Sequence, residues 1–356
     1  MNVLFAVCSW GLGHAVRDLP LMRRIIKEEH QLTVIGEGRS LQFLKKELKG
    51  NCSYREIADY SLAYSERNFS VAKFVTRLPI YINEIVQEHS KIERLVKSHP
   101  CDRIISDSRF GVYERGIPSF FIFHQLRFIA PKRVKFFEMF TEGFNYLFKD
   151  NFDKFLIPDT KEDSLSGDLS HNLLYFKQSK IEYLGPLGDI EKKDLFSDID
   201  YFISLSGPEP QRSVLEKKIM NQISSLKGRI VVTLGKPEEE KTEYFSDNIQ
   251  IFSCLNRKKQ EEMMNRAKLI ITRSGYTTLM ELAFLGKKAL FIPTPGQTEQ
   301  IYLADYHMNK KNFYSVSQNK LNLVKDVEKA KKYKGLSLDF SPKEAEDKFM
   351  RIVFGQ

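Results

Sequence analysis

The segment TRSGYTTLME (272–281) combines a glycine, hydroxyl side chains and a carboxylate within ten residues. It lies between the apolar run KLIIT and the apolar-periodic run LMELAFLG, which predicts a strand-to-helix turn. A helix N-terminus offers backbone N–H groups and the positive end of a dipole to an anion. Gly275 allows close approach of the backbone. Thr277 and Thr278 can donate hydrogen bonds to phosphate oxygens.

Glu281 follows Gly275 within two helical turns, where its carboxylate could accept hydrogen bonds from ribose hydroxyls. A purely structural interpretation competes, because Thr278 and Glu281 fit the S/T-x-x-E pattern of a capping box. The segment PTPGQTEQ (293–300) follows the next predicted strand. A loop there would reach the same sheet edge, which favours the ligand-binding interpretation.

A histidine and an aspartate of the N-terminal half could form a general-base pair. His14 follows the glycine loop of CSWGLGHAVRD, at a predicted helix N-terminus, where the helix dipole disfavours the imidazolium cation. Asp107 ends the predicted strand DRIISD, at the same edge of the sheet. Its carboxylate could orient the imidazole and stabilise the protonated ring. The alternative is that each residue only caps its own turn.

The same glycine loop partly fits a dinucleotide-binding fingerprint, GxGxxG followed by an acid at the end of the second strand. Gly11 and Gly13 occupy the first two glycine positions, and Glu37 lies roughly where a ribose-binding acid would be. Val16 occupies the third position, where a glycine would allow close helix packing. An NAD-dependent Rossmann enzyme with its cofactor on the N-terminal half is therefore an alternative prediction.

Strand-like and helix-like runs alternate along the chain, which predicts βαβ units and parallel sheets. The pattern begins with NVLFAVC and restarts at YFISLSGP (201–208), and LGPLGDIEKKDLFSDID (184–200) is predicted to link the halves. A length of 356 residues also favours two domains. We expect an α/β chain with one domain over residues 1–189 and a second over 190–341. The last helix, 342–356, could pack back on the first domain.

The composition excludes several classes of protein. Hydrophobic residues at 42% and charged residues at 28% are ordinary for a globular domain. Neither a spanning helix nor a secretory signal peptide is expected, and the scattered cysteines predict reduced thiols in a cytoplasmic protein. A net charge of +9 favours anionic partners in general. The cysteines are Cys8, Cys52, Cys101 and Cys254.

The stretch RFIAPKRVKFFEMFTEGFNYLFK (127–149) mixes cations with aromatic side chains, and Phe136, Phe140 and Phe144 recur at helical spacing. One interpretation is a helix packed on the sheet with its basic residues outward. The other is an amphipathic face on an anionic membrane surface. Nucleic-acid binding is not expected, because no RNA- or DNA-binding pattern accompanies the stretch. The cations are Arg127, Lys132, Arg133 and Lys135.

The glycine–histidine turn, the SGxxT…E block and PTPGQTEQ together resemble sugar-nucleotide glycosyltransferases of the GT-B fold. The motifs resemble those of the lipid-intermediate N-acetylglucosaminyltransferase of peptidoglycan synthesis and of UDP-glycosyltransferases that act on small acceptors. The resemblance spans nearly the whole chain, as motifs in order. It implies two Rossmann-like parallel-sheet domains facing each other across a cleft. It further implies an acceptor on the N-terminal domain and a donor, a UDP-sugar, on the C-terminal domain.

The resemblance also assigns roles to individual residues. His14 matches the catalytic base and Asp107 its supporting aspartate, while Gly13 with His124 and Gln125 of FFIFHQL would lie on the acceptor side. Within the donor site, the serine, glycine and threonines of SGYTT match the turn that binds the diphosphate. Glu281 matches the residue that binds the ribose, and the Glu-Gln pair of PTPGQTEQ matches the residues that contact the sugar. The predicted donor-binding residues are Ser206, Gly207, Arg273, Ser274, Gly275, Thr277, Thr278, Glu281, Glu299 and Gln300.

Two donor-side residues depart from the relatives. Arg273 stands where the small-acceptor enzymes carry a histidine, although an arginine can bind phosphate in fork geometry. Glu299 replaces a shorter aspartate, or a glutamine, so the identity of the donor sugar does not carry over.

These residues predict an inverting hexosyltransferase in which His14 deprotonates an acceptor hydroxyl and the nucleoside diphosphate leaves. Backbone N–H dipoles and Arg273 would stabilise the charge on the leaving group. Neither a metal ion nor a cofactor is expected, since the only DxD-like motif, DID (198–200), falls in the predicted linker. The alternatives are a non-hydrolysing sugar-nucleotide epimerase and a non-catalytic sugar-nucleotide sensor. The peptidoglycan relative suggests a lipid-linked acceptor and a peripheral position on the inner face of the membrane.

Overall fold

The computed structural model describes residues 1–61, 71–130, 133–176, 180–236 and 241–355. These residues form two compact units. The first consists of the described residues up to Asp189 together with the C-terminal segment from Phe340, and the second of Ile190–Asp339. Each unit contains its own sheet of seven strands. The α/β class and the two parallel-dominated sheets confirm the predicted fold class.

The N-terminal unit is a doubly wound parallel sheet. Its strands are β1 (Asn2–Val7), β2 (Gln31–Gly36), β3 (Ser53–Glu56), β4 (Arg103–Asp107), β5 (Ser119–Ile122), β6 (Lys154–Ile157) and β7 (Ile181–Tyr183). Its first four helices are α1 (Leu12–Lys27), α2 (Gly38–Leu48), α3 (Val71–Ser98) and α4 (Lys135–Tyr146). The strand order is β3-β2-β1-β4-β5-β6-β7, and each neighbouring pair is parallel.

The order of strands reverses direction at β1, which lies between β2 and β4. Val7 pairs with Asp107, so β1 and β4 end at the same level. In open α/β sheets, ligands bind beyond the carboxyl ends of the strands at such a reversal. The loop after Val7, which leads to His14, therefore lies beside the end of β4.

The C-terminal unit repeats this plan. Its strands are β8 (Ile199–Ser204), β9 (Ile230–Thr233), β10 (Thr242–Ser246), β11 (Ile249–Phe252), β12 (Ala267–Thr272), β13 (Lys288–Phe291) and β14 (Tyr314–Ser315). Its helices are α5 (Gln211–Met220), α6 (Arg257–Arg266), α7 (Tyr276–Leu285), α8 (Thr298–Asn309) and α9 (Leu323–Ala330). The order is β10-β11-β9-β8-β12-β13-β14, with β10 and β11 antiparallel and the other pairs parallel.

The order of the second sheet reverses at β8, between β9 and β12. Thr272, the last residue of β12, pairs with Ser204 on one side and with Phe291 on the other. The turns that follow β8, β12 and β13 consequently start from one edge of the sheet. These turns, together with the N-terminal parts of α7 and α8 that follow them, contain the predicted donor-binding residues.

The last helix, α10 (Pro342–Phe354), belongs to the N-terminal unit. It begins with a capping box in which Ser341 and Glu344 bind each other's backbone N–H groups. Phe349 and Val353 are buried in the core that contains Leu19 and Met22 of α1. The chain therefore returns to its first unit after completing the second.

The basic aromatic stretch is only partly as predicted. Arg127 does not face outward, because it is buried and its Nη2 lies 2.7 Å from Oε2 of Glu142. Phe144 does not share an exposed face with Phe136, since its ring packs in the aromatic core, 5.9 Å from that of Tyr81. The prediction that the basic residues face outward is therefore wrong for Arg127. The prediction that the phenylalanines share one face is wrong for Phe144. Lys132 lies outside the described residues.

The remaining surface of α4 is apolar and exposed. Phe136 is 81% exposed, and Met139 and Phe140 are also exposed, next to the exposed Lys135. Arg133 is half-exposed and pairs with Glu138 and Asp168. Among the described residues, no helix combines the length and the apolar character that crossing a membrane requires.

Candidate active site

His14 and Asp107 meet at the carboxyl edge of the N-terminal sheet, with Nδ1 of His14 2.7 Å from Oδ2 of Asp107. α1 begins at Leu12, which puts His14, together with Gly13, in its first turn. Asp107 is fully buried at the end of β4, whereas the side chain of His14 is 19% exposed. The pair therefore joins an enclosed carboxylate to an imidazole that reaches the surface.

The ionisation of Asp107 decides which nitrogen of His14 carries the proton. Burial opposes the charged form of Asp107, but Arg17 and His14 outweigh it and hold the pKa of this carboxyl well below its usual range. A carboxylate can only accept hydrogen bonds, so Nδ1 of His14 must donate. Nε2 is then the basic nitrogen, and no side chain or backbone group within the described ranges binds it. This arrangement suits a general base whose cation is stabilised by an aspartate.

Two buried residues of α1 that the sequence analysis missed complete the cluster. Arg17 donates through Nη2 to Oδ1 of Asp107. Its Nη1 donates to Nδ1 of His124 over 2.8 Å. Burial and the charge of Asp107 raise the pKa of Asp18 well above its ordinary value, which favours the neutral carboxyl. Arg17 lies three residues after His14 on a helix, a spacing that places both on one face and could have indicated it.

Two of the predicted acceptor-side residues follow β5, whereas Gly13 lies in α1. His124 and Gln125 are both buried, and the ring of His124 lies 6.4 Å from that of His14. The structure thus brings His124 to the His14–Asp107 pair, although the residues are far apart in sequence.

Glu37, the acid of the alternative dinucleotide fingerprint, is used inside the fold. Its Oε2 accepts from the backbone N–H of Asp59 over 2.8 Å, and its own N–H donates to Oγ of Ser9 over 3.0 Å. Asp59 in turn accepts from the N–H of Ser9. These bonds hold the ends of β1, β2 and β3 together. The carboxylate of Glu37, which would have to bind a cofactor ribose, therefore already uses one oxygen in a hydrogen bond within the fold.

The turn before α7 differs from a capping box. Gly275 is the N-cap residue, and no side chain caps the helix. Thr278 is consequently the third residue of the helix rather than its cap, so the capping-box interpretation of Thr278 and Glu281 is wrong. The helix N-terminus, with Thr277 in its first turn, points its positive dipole end to the carboxyl edge of the sheet.

Hydrogen bonds tie this turn to PTPGQTEQ, so the structure brings the two predicted donor segments together. Oγ of Ser274 donates to the backbone carbonyl of Gln300 over 2.7 Å, and the backbone N–H of Thr294 donates to Oε1 of Gln300 over 2.9 Å. The amide of Gln300 therefore braces its own loop, and its contact with a donor sugar stays a prediction. Glu299 lies beside it in the first turn of α8.

Arg273 is 2% exposed and binds carbonyl oxygens. Burial lowers its pKa to about 10, and no carboxylate of the described residues pairs with it. The guanidinium fork predicted to bind phosphate is bonded to backbone carbonyls of the loops, and its contact with a diphosphate stays a prediction. Its acceptors are the carbonyls of Ser206 (3.3 Å), Gln211 (3.0 Å), Ile292 (3.0 Å) and Pro293 (3.3 Å).

The glycine turn after β8 lies against the same loops. Gly207 has a φ of +112°, which L residues rarely adopt. A Cβ at this position would lie 3.4 Å from Oγ1 of Thr294 and 3.7 Å from Nε of Arg273. Glycine therefore permits the close approach of the turn containing Ser206 to the loop after β13.

Glu281 is buried and accepts from Nη2 of Arg257 over 2.8 Å. Arg257 is the first residue of α6, whose N-cap is Asn256. The sequence did not indicate this arginine, because a pairing across 24 residues depends on how α6 and α7 lie in the fold. Arg257 holds the carboxylate of Glu281 in place, while the ribose contact stays a prediction. Within the described part of the chain, no group of three or more metal-binding side chains is assembled.

Two family models match the chain. The model described as glycosyltransferase family 28 C-terminal domain matches residues 211–349, and that described as glycosyl transferase family 1 matches residues 1–114. Residues 1–114 and 211–349 are therefore similar to domains of glycosyltransferases. These matches confirm the resemblance on which the enzyme class was predicted.

Two relatives show how far the likeness to other glycosyltransferases extends. An uncharacterized glycosyltransferase of Methanosarcina mazei is 20% identical over 84% of this chain and 81% of its own. A UDP-N-acetylglucosamine–N-acetylmuramyl-(pentapeptide) pyrophosphoryl-undecaprenol N-acetylglucosamine transferase of Flavobacterium psychrophilum is 29% identical, over 36% of this chain and 39% of its own.

Solved structures of both transferases and epimerases share the fold. The glycotransferase of kitacinnamycin superposes with a TM-score of 0.64 at 12% identity, over 98% of this chain and 93% of its own. The UDP-GlcNAc 2-epimerase of Neisseria meningitidis superposes with a TM-score of 0.60 at 14% identity, over 100% of both chains. At these identities the likeness establishes the GT-B fold and does not specify the reaction.

Proposed function

We propose that this protein transfers a sugar from a UDP-sugar to an acceptor hydroxyl with inversion at the anomeric carbon. The observation that carries the proposal is the 2.7 Å contact between His14 and Asp107, which leaves Nε2 of the imidazole as a base. The glycosyltransferase domains support the class of reaction. The names of similar proteins, which include UDP-N-acetylglucosamine and UDP complexes, support the choice of nucleotide.

In the proposed reaction, Nε2 of His14 takes the proton of the acceptor hydroxyl as the hydroxyl oxygen bonds to the anomeric carbon. The bond between that carbon and the diphosphate oxygen breaks, and UDP leaves with the electron pair. Attack on the face opposite the leaving group inverts the configuration. Asp107, already ionised, stabilises the imidazolium that forms. Proton transfer of this kind contributes a factor of roughly 10²–10⁴ to rate.

We assign the donor to the loops after β8, β12 and β13. The N-terminal dipole of α7 and the charge of Arg273, which has no carboxylate partner within the described ranges, would stabilise the leaving diphosphate. Glu281, fixed by Arg257, would accept from the ribose. The proposal requires neither a metal ion nor another cofactor.

A thermal-shift panel tests the choice of donor, because a ligand that binds only the native state raises its melting temperature. We expect UDP and UDP-sugars to stabilise the protein, by about 2.7 kcal/mol at a concentration of 100 Kd, and GDP and dTDP to stabilise it less. Stabilisation by NAD or NADP without any effect of UDP compounds would contradict the proposal and favour the dinucleotide alternative.

The epimerase alternative stays relevant, because UDP-GlcNAc 2-epimerases share the fold. An epimerase acts on the nucleotide sugar itself. Conversion of a UDP-sugar to its epimer without any acceptor would therefore favour this alternative, whereas release of UDP that depends on an added hydroxyl compound supports glycosyl transfer. A sensor would do neither while still binding the nucleotide.

We also propose that the exposed surface of α4 contacts an anionic membrane, where a lipid-linked acceptor would lie. Phe136, Met139 and Phe140 present apolar surface beside the exposed Lys135. Apolar side chains flanked by a cation suit the interface of an anionic bilayer. Arg127 takes no part, because it is buried against Glu142.

A further inference from the structure

Arg17 is a buried cation that contacts both the His14–Asp107 pair and a second histidine. Its Nη2 donates to Oδ1 of Asp107, and its Nη1 donates to Nδ1 of His124 over 2.8 Å. The side chain is 1% exposed, so water does not compete for these bonds. A guanidinium is planar and its N–H groups point in fixed directions, so binding two partners at once fixes both.

The contact with Arg17 determines the tautomer of His124. A guanidinium carries only hydrogen-bond donors, so Nδ1 of His124 must offer its lone pair. The hydrogen of this neutral imidazole is then on Nε2. His124 accordingly has no basic nitrogen left, because Nδ1 is occupied by Arg17 and Nε2 carries a proton.

The same guanidinium completes the environment of His14. Nη2 of Arg17 lies 3.1 Å from Nδ1 of His14, but that nitrogen already donates to the ionised Asp107 and cannot accept. Arg17 therefore binds the other oxygen of the carboxylate, which also accepts from Oγ of Ser108 over 2.8 Å. With one oxygen held by His14 and the other by Arg17 and Ser108, the carboxylate cannot rotate away from the imidazole.

We propose that Arg17 is the positioning residue of this site, which fixes His124 in the tautomer opposite to the one that Asp107 gives His14. Asp107 holds His14 with its proton on Nδ1, and Arg17 holds His124 with its proton on Nε2. The site thus contains one basic imidazole nitrogen instead of two, and a proton removed from an acceptor goes to His14. The direction of that transfer rests on the proposed function, whereas the two tautomers do not.

Nitrogen NMR of the full chain labelled with ¹⁵N-histidine tests the inference directly, since protonated and bare ring nitrogens differ in chemical shift and coupling pattern. His14 and His124 are assigned with the H14Q and H124Q variants. We expect the wild-type protein to show His14 as the Nδ1–H tautomer. His124 should appear as the Nε2–H tautomer and should stay neutral from pH 5.5 to 8.5, a range on both sides of the ordinary histidine pKa of about 6.5.

Two substitutions separate the role of Arg17 from a general effect on the fold. In Arg17→Met, His124 should lose its single tautomer and begin to titrate. Arg17→Lys keeps the positive charge beside Asp107, but one ammonium group cannot bind both Asp107 and His124 as the guanidinium does. His124 should therefore again lose its fixed tautomer, while His14 should keep its own. Arg23→Met removes a partly exposed cation from the same helix and should leave both histidines unchanged.

The inference is overturned if His124 of the wild-type protein carries its proton on Nδ1, or if Arg17→Lys folds and leaves His124 in the wild-type state. These outcomes differ from failure of the proposed function. Full turnover in His14→Ala with both tautomers as expected would remove the base assignment and leave the role of Arg17 intact.

Discussion

Val7 and Asp107 are direct neighbours on parallel strands, so the loop that leaves β1 for His14 starts level with the aspartate that binds it. The pairing of His14 with Asp107 across 93 residues thus follows from strand register. The contact between His14 and Asp107 therefore depends on how β1 and β4 pair in the sheet as well as on the two side chains.

Asp107→Asn should lower turnover by about a hundredfold or more, because an amide can donate to Nδ1 and stabilise the wrong tautomer of His14. Steady-state kinetics of UDP release with an acceptor measures this effect. Asp102→Asn is the matched control, since Asp102 is an exposed aspartate next to the start of β4. Equal turnover in Asp107→Asn and Asp102→Asn would contradict the role of the aspartate.

Asp18→Asn should stabilise the protein increasingly as the pH rises. The pKa of Asp18 is raised in the folded state by burial and by Asp107, so its contribution to stability is fully present below the unfolded pKa of about 4 and is lost at higher pH. Asparagine has no proton to lose. Melting temperatures at pH 4 and pH 8 should show a difference between variant and wild type that grows with pH, whereas the exposed Asp150→Asn should show none. A constant difference would argue against a neutral Asp18.

Arg257→Ala should weaken binding of UDP, because it removes the partner that holds the carboxylate we assign to the ribose. We expect a loss of roughly tenfold or more, since hydrogen bonds to charged groups contribute about 1.5–3 kcal/mol. Calorimetric titration with UDP measures this effect. Lys258→Ala, at the next and exposed position, is the control. In a double-mutant cycle with Glu281→Ala, the two losses should be less than additive. Additive losses would show that Arg257 and Glu281 act independently.

Phe136→Ser combined with Phe140→Ser should abolish binding to vesicles that contain anionic lipid at low salt. Phe196→Ser is the control, because it makes the same substitution at a phenylalanine that is 87% exposed and lies in the other unit. Co-sedimentation compares the three proteins. Absence of binding by the wild-type protein, or equal binding by all three, would discard the membrane contact.

The sequence predicted the features that depend on single elements and on their order. Alternating runs indicated the α/β class, and the ends of parallel strands share an edge, which brought His14 and Asp107 together as candidates. The match of motifs indicated the glycosyltransferase class, which the family models confirm.

Features that depend on contacts between elements could not be predicted in the same way. Arg127 turns inward because Glu142, on a helix that begins eight residues later, is buried beside it. α7 begins two residues before Thr278, which removes the capping box that the local pattern allowed. The carbonyls around Arg273 come from two segments far apart in the sequence, the β8–α5 connection with the first residue of α5 and the loop after β13, and no spacing in the sequence indicates that they converge.

The measurement that tests the central claim most directly compares His14→Ala with the wild-type protein in two assays. One assay measures UDP binding. The other measures acceptor-dependent release of UDP, with the UDP-sugar that stabilises the protein most as the donor. We expect turnover to fall by about 10²–10⁴, with UDP affinity within about twofold, because we assign proton transfer to this histidine and the donor to the other unit. Turnover equal to that of the wild-type protein would contradict the account.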